Sequence, residues 1–214
     1  MPCNDFSIYK IQNCISRIIK NVGKIYLSMD YSPGLRGVVA GETAISTVGM
    51  EGTSLRYRGY DAIELTKNST YEAVASLVIN DSLNEADYKK SFSKYYLQIS
   101  KDKNLNQLLE EVKEKLSPMD VIRTVVSYMG ELTTLMKKKL DNQDKVELTA
   151  RINATVCYII ASYHKDDCDE LDDSYLVASS MLPNNANKEK IEALDDMLIL
   201  YAEHGFNAST FATR

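Results

Sequence analysis

Apolar residues recur at helical spacing along most of this chain. Val74, Leu77 and Val78 form one such stripe, and Ser69-Thr70-Tyr71-Glu72 reads as the capping box that opens its helix. Tyr88, Phe92, Tyr95, Tyr96 and Ile99 predict a second helix over residues 85–99. Leu105, Leu108, Leu109, Val112 and Leu116 predict a third. Ser117 then caps a fourth, with Pro118 at its first position and Asp120 where the helix dipole favours an acid. Ile122, Val125, Val126 and Met129 face inward from it, and Gly130 can end it. A longer helix runs from Val146 to Tyr163 on Leu148, Ile152, Val156, Ile159 and Ile160. The last stripe is Ile191, Leu194, Leu198 and Tyr201. Gly205 can take the left-handed conformation that closes that helix, which places His204 in its last turn or just beyond. There the carbonyl end of the dipole favours a charged imidazole. The pattern predicts a mostly α fold.

Residues 34–61 break the helical period. Gly34, Gly37, Gly41, Gly49, Gly52 and Gly59 fall here, six of the nine glycines in the chain. Thr43 to Val48 and Leu55 to Tyr57 are β-branched or aromatic runs around Gly49-Met50-Glu51-Gly52, a short β-hairpin with a four-residue turn. Arg58, between tyrosines, is expected to stack on its aromatic neighbours and pin a loop. The glycine spacing excludes a phosphate-cradling P-loop.

Composition narrows the function classes. The 214 residues carry 25 Lys+Arg against 30 Asp+Glu, a net charge of -5, so no basic excess suggests nucleic acid as a partner. No run is long and apolar enough to span a bilayer. Cys3, Cys14, Cys157 and Cys168 have neither metal-ligand nor redox-pair spacing, consistent with reduced thiols in a cytoplasmic protein. His164 to Asp173 is an acidic stretch without the glycine and oxygen spacing of a calcium loop, and it reads as a solvated loop with no metal. Met119, Met129 and Met136 read as core or interface filling. Residues 6–29 form a basic, acid-free amphipathic segment. It reads as an extension upstream of the fold, with a targeting or membrane-surface helix as the alternative.

The densest candidate chemistry lies last, in Leu200-Tyr201-Ala202-Glu203-His204-Gly205-Phe206-Asn207-Ala208-Ser209-Thr210-Phe211-Ala212-Thr213-Arg214. His204, Asn207, Ser209, Thr210 and Arg214 are donors suited to a small anion, and Arg offers a planar fork to a carboxylate. A helix end followed by a polar turn is the plainer reading of the same spacing.

This segment resembles the oxaloacetate-binding stretch of the citrate synthase family, whose usual form is AxHxxNASTFxxR. Two further stretches carry the same resemblance in the family's order. Gly34-Leu35-Arg36-Gly37-Val38-Val39-Ala40-Gly41-Glu42-Thr43-Ala44-Ile45-Ser46, running on to Leu55-Arg56-Tyr57-Arg58-Gly59-Tyr60-Asp61, is similar to the family's GLxGVxAGxTxIS…LxYRGYD opening. Ser117-Pro118-Met119-Asp120-Val121-Ile122-Arg123-Thr124 is similar to HPMDVxRT. Thr47-Val48-Gly49, SPMDVIRT, the Tyr158-to-His164 segment and YAEH lean toward the 2-methylcitrate synthase branch.

The resemblance implies a multi-helical large domain, partial over residues 30–214, preceded by the 1–29 extension and lacking the small domain. It implies a Claisen-type condensation of propionyl-CoA or acetyl-CoA with oxaloacetate, both substrates, with no cofactor. It assigns His204, Asn207 and Arg214 to oxaloacetate, and it implies a homodimer packed through the helices over 118–130 and 146–163. The family's catalytic His and Asp lie in later motifs. The 214 residues alone are therefore expected to be inactive, as a fragment of a synthase. One half of a split synthase and a non-catalytic helical binding module are the alternatives.

Overall fold

A computed structural model describes residues 41–48, 54–129, 140–165, 168 and 171–213. The described residues are mostly helical with one small sheet, as the pattern predicts. The sheet is three-stranded and antiparallel, ordered β1 (Ser46–Thr47), β2 (Arg56–Tyr57), β3 (Tyr60–Asp61). The first pair has the expected hairpin sense, with Ser46 opposite Tyr57. The third strand was not expected. It forms because Arg58 and Gly59 both take positive φ, 49° and 91°, the two-residue turn whose twist matches paired strands. Arg58 does not act by aromatic stacking. It donates from Nη2 to the Val78 carbonyl at 3.0 Å, pinning the sheet to the helix that ends there.

The helices are α1 (Ala62–Asn68), α2 (Tyr71–Asn80), α3 (Ala86–Ser100), α4 (Lys103–Lys113), α5 (Pro118–Tyr128), α6 (Asn142–Ala161), α7 (Leu176–Met181), α8 (Lys188–Leu200) and α9 (Ala208–Thr213). The main core sits where α3 lies on α6. Tyr88, Phe92 and Tyr96 stack along α3 with centroids 6.5 and 5.7 Å apart, and Tyr158 meets Tyr96 edge-on at 5.6 Å. Ala150 and Ala154, fully buried, let the aromatic helix approach α6 closely. The buried face of α6 therefore runs through these small residues and Cys157, while Leu148, Ile152 and Val156 are only half-buried and Tyr163 is exposed. Of the expected stripe Ile159 is fully buried, and the rest lies on the flank of that face. A second cluster, Tyr57, Ala62, Leu65, Val74, Leu77 and Ile199, joins the sheet, α1, α2 and α8.

Caps follow the sequence at α5, where Ser117 accepts from Asp120 N–H and Pro118 opens the helix. They depart from it at α2. Thr70 is the N-cap, and Glu72 turns inward, fully buried, to accept from Val177 N–H at 2.7 Å. The expected capping box is thus a cap on another helix, α7. On α8 the buried stripe includes Asp195 and Ile199, and Tyr201 is 84 % exposed, because the packed face is centred one residue on from the apolar period. Met119 is exposed rather than part of the core.

Residues from Glu42 onward form one compact unit. The extension over 1–29, the Gly49-to-Gly52 turn, Gly130 and Met136 lie outside the described residues. Among the described residues, no helix is long and apolar enough to cross a membrane, and no three His, Cys, Asp or Glu side chains gather as metal ligands.

Candidate functional site

The helix leading to the candidate segment ends at Leu200, earlier than Gly205 suggests, and the cause is a partner distant in sequence. Tyr57 of β2 is fully buried, and its hydroxyl lies 2.9 Å from the Ile199 carbonyl and 3.1 Å from the Leu200 carbonyl. Those are carbonyls that the end of a helix leaves without an intrahelical partner. Burial, foremost, pushes the Tyr57 phenol above its ordinary value, so it stays a donor. Tyr201 N–H closes on the Met197 carbonyl at 3.1 Å, and Ala202 N–H on the Ile199 carbonyl at 3.2 Å.

His204 therefore lies three residues past the cap Tyr201, outside the last turn, and is exposed. The dipole argument for its charge does not apply at that distance, since the effect is confined to the last turn. Gly205 does take positive φ, 89°, and makes the bend that follows the imidazole. Asn207 N–H closes that bend on the Gly205 carbonyl at 3.0 Å. The sequence suggested a polar turn next; the chain instead forms the short helix α9, with Phe211 N–H on the Asn207 carbonyl at 2.9 Å. Asn207 is exposed, Phe211 is 46 % exposed, and Arg214 lies outside the described residues. The structure thus places His204 and Asn207 on one exposed bend held over the sheet.

Glu203 fixes this bend from beneath. Its carboxylate accepts from the Ser46 hydroxyl at 3.4 Å and from Gly205 N–H. Nothing in the sequence joins Ser46 to Glu203, because no local spacing links residues 157 apart.

Within α8, one turn before Ile199, Asp195 anchors a buried polar junction. Both Asp195 oxygens accept from Tyr71 N–H at 3.1 Å, and burial pushes this carboxyl up to about 7. Burial likewise raises the Glu72 carboxyl, whose Oε2 finds no hydrogen-bond partner among the described residues. Asn153 Nδ2 donates to the hydroxyls of Tyr88 at 2.7 Å and Tyr71 at 3.2 Å. Cys157, fully enclosed here, has its thiol pushed up to about 12 by burial and is no nucleophile at neutral pH.

Surface grooves occur elsewhere. One of about 460 Å³ is lined by Thr70, Tyr175, Glu192 and Asp195, and one of about 360 Å³ by Lys165, Asp172, Ser179 and Asn184. Neither is lined by His204 or Asn207. The described part of the candidate site is an open bend.

Comparison with known proteins gives this geometry a context. Residues 34–214 match the family described as citrate synthase, C-terminal domain. The 2-methylcitrate synthase of Shewanella oneidensis is 36 % identical over 192 residues, covering 85 % of this chain and 50 % of that protein. The crystal structure of citrate synthase from Pyrobaculum aerophilum superposes with a TM-score of 0.69 at 23 % identity, over 84 % of this chain and 49 % of that one. The Thermoplasma acidophilum citrate synthase, solved as a ternary complex with carboxymethyl coenzyme A and oxaloacetate, gives 0.67 at 22 % identity, over 86 % and 50 %. These structural likenesses concern the fold. The chain spans about half the length of the curated relatives it matches.

Proposed function

From the premise that this chain belongs to the citrate synthase family, we propose that it supplies the oxaloacetate-grasping part of a condensation between that dicarboxylate and an acyl-CoA. The observation that carries this reading is the exposed bend, with His204 and Asn207 presented together by a segment tied back to the sheet. An imidazole and an amide so placed donate to carboxylate and ketone oxygens. Arg214, on the same segment of the sequence, is assigned to support a carboxylate. Propionyl-CoA is the favoured acyl donor, because the 36 % relative is a 2-methylcitrate synthase.

The condensation requires a base beside the thioester and a donor for the enolate. The chain carries two histidines, and His204 is committed to oxaloacetate in this reading. Glu203, the nearest acid in sequence, is engaged by Ser46 and Gly205. The 214 residues by themselves are therefore proposed to bind oxaloacetate without condensing it, with the remaining groups supplied by other sequence. A homodimer and a cytoplasmic location belong to the same proposal. The half-buried, mainly apolar patch of Val126, Met129, Leu148, Arg151 and Ile152, along α5, its C-cap and α6, supports the first, and mass in solution tests it.

The direct test is a thermal-shift titration with oxaloacetate. A specific site at a hundredfold excess over its Kd stabilises the fold by about 2.7 kcal/mol. That stabilisation is expected for the wild type and lost in His204→Ala, with the unliganded Tm unchanged. An equal response from both proteins removes His204 from the site. Release of CoA from propionyl-CoA by the purified chain overturns the inactivity.

A further inference from the structure

Within the bend that carries His204 lies a side-chain anchor whose chemistry the oxaloacetate reading does not use. Glu203 precedes the imidazole in sequence, yet its carboxylate turns back toward the sheet. It accepts from the hydroxyl of Ser46, itself only 8 % exposed, and from the amide that follows His204. Ser46 is paired directly across the sheet with Tyr57, so the two side chains share one face. From that face Tyr57 holds the carbonyls of Ile199 and Leu200, while Ser46 holds Glu203. One cross-strand pair thus grips the chain at two points just before His204, with Gly205 closing the bend on the other side.

We infer that Glu203 is a positioning residue for His204: the Ser46–Glu203–Gly205 contacts set where the imidazole stands before any ligand arrives. The inference rests on the oxaloacetate reading for its functional meaning and on geometry alone for the positioning. The role is that of an acceptor. A bend with no such anchor must be ordered by the ligand, and that ordering is subtracted from affinity. Gly205 allows the turn, because its positive φ carries no Cβ penalty and the nearest atom to an added Cβ is Ser46 Oγ at 3.9 Å.

The test separates position from charge. Glu203→Gln keeps a carbonyl oxygen for both donors and removes the charge; Glu203→Ala removes both; Ser46→Ala removes the tie to the sheet and Ser46→Thr restores a hydroxyl. Two measurements are made on the full chain. One is the imidazole NMR signature of His204, distinguished from His164 by a His164→Gln variant. The other is oxaloacetate affinity by calorimetry. Glu203→Ala is expected to displace the His204 resonances in the absence of ligand and to weaken oxaloacetate by about tenfold or more, the scale of a lost hydrogen bond to a charged group. Ser46→Ala moves both in the same direction, and Glu203→Gln and Ser46→Thr return both toward wild type.

Unchanged His204 resonances in Glu203→Ala and Ser46→Ala overturn the inference. So does a Glu203→Gln protein as impaired as Glu203→Ala, which would make the charge the active property. Displaced resonances in a chain whose wild type binds no oxaloacetate leave the positioning intact and remove the oxaloacetate reading, so the two failures are distinct. If Glu203→Ala does not fold, the Ser46 pair gives the same decision.

Discussion

The junction where α2, α7 and α8 meet and the bend that leaves α8 at Tyr201 use the same kinds of group, carboxylates accepting from backbone amides, in opposite surroundings. At the junction Glu72 and Asp195 are 0 and 2 % exposed, and each accepts from the first turn of a neighbouring helix. At the bend Glu203 is half-buried and accepts from its own turn and from one serine, while His204 beside it is exposed. A buried carboxylate that caps another helix binds structure to structure, and losing it costs folding. A half-exposed one that ties a loop costs little folding and fixes where a neighbour stands. The first region should report in stability and the second in binding.

The largest break in this division is a core substitution. Phe92 is fully buried between Tyr88 and Tyr96, so Phe92→Ala removes a ring from the middle of a fully buried stack. The expected loss is about 3–5 kcal/mol, or roughly 10 °C in Tm for a chain of this length, read by urea and thermal unfolding. A loss below about 1 kcal/mol would mean that the α3–α6 contact is not the centre of the fold.

Next comes the junction itself. Glu72→Ala leaves Val177 N–H without its acceptor in a buried site, at an expected cost of about 1–3 kcal/mol. The pH dependence is the sharper test. The Asp195 carboxyl, raised from 3.8 to about 7 by burial first, binds more protons folded than unfolded between those values. Its contribution is therefore fully present below about 3.8 and is lost as pH rises through about 7. Glu72, also raised, acts in the same direction, whereas Glu85, lowered by its contacts with Lys89 and Thr70 against the pull of burial, acts in the opposite one. Comparing wild type with Asp195→Asn isolates the carboxyl's contribution. The wild-type Tm should fall relative to the variant by a few degrees from pH 4 to pH 7.5. Parallel profiles would show that the junction does not hold a proton.

The sequence made one of these regions far more legible than the other. Helices with a full amphipathic face, α3 above all, were plain because Tyr88, Phe92, Tyr96 and Ile99 keep one period and one partner, α6. The junction was hidden by an ambiguity of short patterns. Ser69-Thr70-Tyr71-Glu72 has capping-box spacing whether Glu72 bonds its own helix or Val177, 105 residues away. Asp195 was missed because an acid on a buried stripe is paired only in three dimensions. Strand β3 was missed because Arg58 takes a positive φ that non-glycine residues seldom adopt, so its turn lacks the usual Asn-Gly signal. In the site, His204 and Asn207 were found through a family resemblance. Their exact place was not, because α8 ends where Tyr57, more than 140 residues earlier, takes its carbonyls.

The smallest expected change in stability tests the bend directly. Gly205 sits at φ 89°, where a Cβ costs about 1–2 kcal/mol of backbone strain. The added carbon of Gly205→Ala meets only Ser46 Oγ at 3.9 Å, an ordinary contact, so the penalty is conformational and no clash adds to it. A residue locked inside a packed element would pass that penalty to global stability in full. The bend is different: it follows a helix that Tyr57 has already closed, and none of Glu203 to Asn207 is fully buried, so it can relax by giving up the Glu203–Gly205 contact. Gly205→Ala should therefore lower the unfolding free energy by less than about 1 kcal/mol while weakening oxaloacetate several-fold. Calorimetry and urea unfolding on the same preparation decide it. A full loss of stability with affinity unchanged would reverse the division between the two regions, making the bend part of the scaffold and leaving His204 free of it.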